Sequence, residues 1–174
     1  PLRDRFGIPL QLNFYEPNDL MKIILLGAEK LKTKIGEKPA YQTAVRSRGT
    51  PRIAIRLLKR IIDFSVVQNL DEISIDIVKE SLKKMRIDSE GLDDMDRKYL
   101  KCLSDDYNGG PVGIETLSAA LLEQKDIIED VIEPYLMQKG LVQRTSRGRI
   151  LSKKGFNHIQ SSLLKWKESI YQNF

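Results

Sequence analysis

Apolar residues recur every third or fourth position through most of this 174-residue chain, and that rhythm is interrupted in the middle and replaced near the end. Such spacing makes one face of a helix apolar, so a chain patterned this way must stack helices rather than build a large sheet. From Asn18 the stripe is Leu20, Ile23, Ile24 and Leu31, with Asn18 or Asp19 expected to cap the first helix. A charged stretch containing Gly36 and Pro39 closes it, and a second helix is expected to about Ser47, ended by a left-handed Gly49. Thr50 then reads as an N-cap with Pro51 at the first helical position, and Ile53, Leu57, Ile61 and Phe64 form the third stripe. Ser74 is expected to cap a fourth helix carrying Val78, Leu82 and Met85 inward. Helices of this length predict a small four-helix bundle.

The interruption is the polar run from Arg86 to Asp94, which contains Gly91 and predicts a domain boundary. Asp93 or Asp94 starts a helix bearing Met95, Tyr99, Leu100 and Leu103, followed by the turn Asn108-Gly109-Gly110-Pro111. Further helices are expected from Ile114 to Leu122 and from Lys125 to Lys139, the last ended by Gly140. There the rhythm changes to alternation in Leu141 to Thr145 and Arg149 to Ser152, joined by Ser146-Arg147-Gly148, as a hairpin requires. Three helices and a hairpin, in that order, predict a winged helix. The tail from Lys153 to Phe174 reads as one more helix with a frayed end.

At the other end Leu10, Leu12 and Phe14 alternate with polar residues, the period of a short strand that cannot fold alone. Since the chain starts at Pro1 in mid-pattern, it reads as a piece of a longer protein. The expected organisation is a remnant strand over 1–16, a helical bundle over 17–87 and a winged-helix domain over 88–174. No apolar run approaches the roughly 18 residues of a spanning helix, and no secretory signal is seen, so a cytoplasmic protein is expected. A single cysteine, Cys102, and a single histidine, His158, offer neither an internal disulfide nor a zinc site, so no metal site is expected. Cys102, between Leu100 and Leu103, reads as a small core residue.

The net charge of +5 permits a nucleic-acid partner, and the distribution of charge sharpens that reading. Lys139, Arg144, Arg147, Arg149, Lys153 and Lys154 fall on or beside the hairpin, with no acid from Lys139 to Lys154. The preceding helix, the recognition helix of an ordinary helix-turn-helix, carries Asp126, Glu129, Asp130 and Glu133, which phosphate would repel. The hairpin is therefore expected to touch DNA, with Arg144 and Arg149 on its strands and Arg147 at its tip. Contacts to phosphates or the minor groove would make binding largely independent of sequence. The plainer alternative is a solvated basic turn. Arg52, beside the helix start at Thr50-Pro51, joins a guanidinium fork to a helix N-terminus and suits a phosphate, or else pairs with Asp63 or a nearby acid. Arg3 and Arg5 flank Asp4 and, by themselves, read as an ordinary solvated turn. No glycine-rich phosphate loop, Ser/His/Asp set or paired carboxylate cleft occurs, and the remaining acids are expected on exposed helical faces.

Seven blocks then carry a specific resemblance: Pro1-Leu2-Arg3-Asp4-Arg5-Phe6-Gly7, Arg48-Gly49-Thr50-Pro51-Arg52-Ile53-Ala54, Asp96-Arg97-Lys98, Gly109-Gly110-Pro111-Val112-Gly113, Ile128-Glu129-Asp130, Glu133-Pro134-Tyr135-Leu136 and Gln143-Arg144-Thr145-Ser146-Arg147-Gly148-Arg149. In this order they resemble the RuvB family over residues 1 to about 150. The fold this implies is mainly α, a four-helix AAA+ lid bundle followed by a winged helix-turn-helix domain with a β-hairpin wing. The activity it implies is that of a homohexameric ATP-dependent helicase, a DNA translocase driving Holliday junction branch migration in recombination, DNA repair and the SOS response to DNA damage. Implied partners are double-stranded junction DNA and the RuvA and RuvC proteins, and the implied cofactors are ATP and Mg2+.

The same resemblance makes Arg3 and Arg5 candidates for a trans-acting arginine finger, Arg5, Tyr15 and Arg52 nucleotide contacts, and Arg144, Arg149, Arg147 and Lys125 DNA contacts. Lys125 stands where relatives often carry Arg, Ile55 where Asn is usual, and Pro9-Leu10 interrupts a more regular strand. Because neither the Walker motifs nor the RuvA-docking hairpin occurs in this sequence, the chain alone is expected neither to hydrolyse ATP, to need a cofactor, nor to bind RuvA. The reading from a different class is a stand-alone winged-helix regulator with a helical dimerisation domain. A related AAA+ replication initiator is a further one, and would prefer a basic recognition helix. An orphan strand behind an Arg-Asp-Arg turn argues against the regulator, and the acids of the recognition helix against the initiator.

Overall fold

A computed structural model describes residues 13–160, which form two compact units dividing between Gly91 and Leu92. The fold is mainly helical. Arg3, Arg5 and Pro9-Leu10 lie outside the described residues, as does most of the expected N-terminal strand. Residues 13–16 carry no strand, and residues 153–160 are helical.

The first unit packs α1 (Pro17–Lys30), α2 (Glu37–Val45), α3 (Pro51–Val67) and α4 (Ile75–Lys84) around one core that includes Leu20, Ile24, Ala44, Leu58, Ile61 and Val78. Helix α1 starts two to three residues earlier than expected. Glu16 is its N-cap, without a side-chain cap bond, and Pro17 takes the first position that Asn18 or Asp19 was expected to precede. Leu31, expected inward, is exposed because the helix ends at Lys30 and the chain turns away there. Ile53, Phe64 and Met85 are only half buried, and Ala54 and Leu58 hold the centre of α3 instead. Thr50 and Pro51 start α3 as expected, and the Ser74 side chain accepts the Ile77 N–H at 3.3 Å to cap α4. Two loop segments, β1 (Lys34–Ile35) and β2 (Glu72–Ile73), pair in parallel and tie the α1–α2 connection to the α3–α4 connection.

The second unit begins with α5 (Asp94–Lys101), whose N-cap Asp93 forms a capping box with Asp96. A π-helical turn, Cys102–Asp106, continues it. Burial, with a hydrogen bond to Asp106, pushes the Cys102 thiol up to about 11, so it stays protonated and unreactive at neutral pH. After α6 (Ile114–Leu121), the segments α7 (Lys125–Ile127), a π turn (Ile128–Ile132) and α8 (Glu133–Gln138) run on as one rod. Its widened middle is not visible in apolar spacing. Strands β3 (Val142–Thr145) and β4 (Gly148–Leu151) then form the hairpin. Val112 bridges Arg149, its N–H reaching the Arg149 carbonyl at 3.0 Å and its carbonyl accepting the Arg149 N–H at 2.8 Å, so the wing is held from its far edge as well.

Candidate functional site

The hairpin register pairs Val142 with Leu151, Gln143 with Ile150, Arg144 with Arg149 and Thr145 with Gly148. Residues two apart on a strand share a face. Because Val142 and Leu151 are buried in the core, Arg144 and Arg149 lie on that same inward side. Arg149, expected to touch DNA from its strand, has a buried side chain that is 5% exposed. Strand parity set by Val142 and Leu151 was the signal that could have shown it.

Arg149 is satisfied by acids of the rod. Its Nε donates to Glu133 Oε1 at 2.7 Å, and one terminal nitrogen donates to Glu129 Oε1 at 2.5 Å and Glu133 Oε2 at 3.3 Å. Tyr99 of α5 donates its hydroxyl to Glu133 Oε1 at 3.0 Å. Glu133 is 1% exposed, contrary to the expectation that the acids sit on exposed faces. A carboxylate so placed would be costly without a cation and donors around it. Burial acts to lower the Arg149 pKa, but its bonds to Glu133 and Glu129 outweigh this and hold it above the ordinary value, so the guanidinium stays charged. Burial foremost, and then the Glu133 carboxylate, raise the Tyr99 hydroxyl well above its usual range, keeping it a donor. Composition and charge alone pointed to none of Tyr99, Glu129 or Glu133 as partners of the wing.

Outward, the hairpin presents Arg147 at its tip, exposed and without an ion pair among the described residues, and Lys153 just beyond β4. The tip is braced by Thr145, whose Oγ1 donates to the Gly148 carbonyl at 2.8 Å and accepts the Arg147 N–H at 3.3 Å. Arg144 is intermediate: its side chain is 57% accessible while one terminal nitrogen donates to Glu129 Oε1 at 2.7 Å. Lys125 is tied to Glu115 across the start of α6, so it is not a free cation in this arrangement. Lys154 donates to the Lys139 carbonyl at 2.9 Å and fastens the base of the wing. The outer face of the rod carries Asp126, Ile127, Asp130 and Val131, all exposed, a surface without a cation to meet phosphate.

In the bundle, Arg52 occupies the first turn of α3, exposed and free of ion pairs among the described residues. Asp63, its alternative partner, pairs instead with Arg60 at 3.3 Å. Arg52 borders an open groove of about 850 Å³ that also takes in Pro51, Ile55, Arg56 and Lys59. An unpaired guanidinium beside free helix N–H groups fits an anionic phosphate. Ile55 packs over Gly27, where a methyl group would come within 2.7 Å of its Cδ1, so the glycine accommodates the isoleucine. The Tyr15 N–H donates to the Gly49 carbonyl at 2.9 Å, which ties its backbone to the turn that leads into α3, and its side chain is half exposed.

Comparison with known proteins places both units. A model of the RuvB AAA lid domain matches residues 15–88, and one of the RuvB C-terminal winged helix domain matches residues 89–160. The Holliday junction branch migration complex subunit RuvB of Paramagnetospirillum magneticum is 51% identical over 159 residues, covering 91% of this chain and 46% of the relative. That of Granulibacter bethesdensis is 52% identical over 159 residues, 91% of this chain and 44% of the relative. The chain thus spans about half the length of the curated relatives it matches. Among solved structures, the Thermotoga maritima RuvB Holliday junction branch migration motor superposes with a TM-score of 0.88 at 46% identity, over 91% of this chain and 53% of that one.

Proposed function

Because the chain belongs to the RuvB family, as a lid followed by its winged-helix domain, we propose that it is the lid-and-wing portion of an ATP-dependent motor that migrates Holliday junctions in recombination and repair. In this reading residues 17–87 sense nucleotide and residues 88–174 hold duplex DNA without regard to sequence. The intact protein works as a hexamer in the cytoplasm, with RuvA and RuvC as partners at the junction. ATP, bound with Mg2+, supplies the free energy of phosphoryl transfer when present. Arg52 would hold its phosphate from the lid, with Tyr15 and Arg5 as further nucleotide contacts, and Arg3 and Arg5 are the candidates for the arginine finger acting in trans.

The observation that carries the DNA-binding part is the division of charge in the second unit. Among the described residues the hairpin and its edge present two outward cations without an ion pair, Arg147 and Lys153, whereas the outer face of the rod offers Asp126 and Asp130. DNA affinity that rests on phosphate contacts falls with salt in proportion to the phosphates neutralised. Arg147→Ala is therefore expected to weaken binding to a short blunt duplex about fivefold to tenfold and to reduce the slope of log affinity against log salt by about one. A salt titration followed by fluorescence anisotropy checks this. An unchanged affinity and slope would remove the wing from the DNA interface.

A further inference from the structure

Glu129 occupies an unusual position between the two arginines of the hairpin's inner face. Its Oε1 accepts from Arg149 at 2.5 Å and from Arg144 at 2.7 Å. The two guanidinium groups differ in freedom. Arg149 is buried and doubly held by Glu133, whereas the Arg144 side chain is 57% accessible and, among the described residues, bonded through Glu129 alone. The four charges of Arg144, Arg149, Glu129 and Glu133 cancel, so two of the wing's arginines are neutralised by the helix whose remaining acids face outward.

Resting on the reading of the wing as a DNA-binding element, we propose that Glu129 is a positioning residue that holds Arg144 in reserve, and that duplex phosphate must take this guanidinium from it. Arg149 makes the exchange possible. When Arg144 swings out, Glu129 keeps a cation at 2.5 Å and is not left as a bare carboxylate facing an incoming phosphate. Carboxylate and phosphate accept the same fork of donors, so the two compete for one geometry. The pair is partly exposed, and its strength is that of an accessible ion pair, small enough for a polyanion to displace. The wing therefore binds DNA less tightly than its arginines allow, which suits a surface that must release and re-engage duplex.

Glu129→Gln keeps the size and the acceptor oxygen but removes the charge, and Arg149 retains Glu133, so the variant should melt close to the parent. With the 174-residue chain and a short blunt duplex, Glu129→Gln is expected to tighten binding between about twofold and fivefold. In an Arg144→Ala background the same change should give a smaller gain, equal to that of Asp130→Asn, which removes an acid of the rod's outer face and reports bulk charge alone. A gain of equal size with and without Arg144 would overturn the proposal. So would a loss of affinity, since pairing with Glu129 would then present Arg144 to DNA rather than withhold it. If Arg147→Ala binds as the parent does, or no variant binds duplex, the DNA-binding reading fails and the reserve role with it. If Arg147 matters while Glu129→Gln changes nothing, only the reserve role fails.

Discussion

Arg149→Met is expected to destabilise the winged-helix unit by about 3–5 kcal/mol, because it strands a buried carboxylate. Glu133 would keep only the Tyr99 hydroxyl, at 3.0 Å, in a site where it is 1% exposed. For a unit of this size the loss corresponds to a fall in melting temperature of more than about 10 °C. Removing both members of the pair costs less than removing one, so Arg149→Met combined with Glu133→Leu should recover much of the loss. Thermal melts of the two single variants and the double variant test this, and a single Arg149→Met variant as stable as the parent would contradict it. DNA binding will also fall in Arg149→Met, through loss of the scaffold that carries Arg147. Without the melts, that fall would be mistaken for a missing phosphate contact.

Gly148→Ala should act on the same wing through the backbone. Gly148 has φ +134°, a conformation L side chains rarely adopt, and a methyl group there would lie 2.6 Å from the Val112 carbonyl carbon and still closer to its oxygen. The strained φ alone costs about 1–3 kcal/mol, and the collision with the Val112 bridge adds to it. An overall loss of roughly 3 kcal/mol or more is expected, together with displacement of the Arg147 tip and weakened duplex binding. Gly113→Ala is the matched control: an added Cβ there meets nothing within 4 Å, and since Gly113 is the N-cap of α6, where Ala is the poorer cap, its stability should stay within about 1 kcal/mol of the parent. Equal melting temperatures for the two variants would contradict the reading of Gly148.

Much of the fold was legible because its punctuation is local. Thr50-Pro51, Ser74 and Asp93 start helices, and the glycines at 49 and 140 follow helix ends with positive φ. What was not legible depends on residues far apart or on small shifts within a helix. The β1–β2 pair joins residues 34–35 to 72–73 with only two residues a side, too few for a periodic signal. The π turns of the second unit alter helical phase without altering composition. In the candidate site the cationic hairpin was visible as charge, but charge does not say which way a side chain faces. Arg149 was read as a DNA contact because it belongs to the cationic run on and around the hairpin. Its inward direction follows from sharing a strand face with Leu151, and the acids it answers, Glu129 and Glu133, had been read as repelling phosphate.

The division of labour between hairpin and rod is tested most directly by mapping backbone amide shifts of the isotope-labelled chain as duplex DNA is added. Perturbations should centre on residues 144–149 and on Lys153, and leave Asp126, Ile127, Asp130 and Val131 where they were. Shifts concentrated along that outer face of the rod, with the Ser146-Arg147 tip unmoved, would place the helix in the groove and contradict the hairpin as the DNA-holding element.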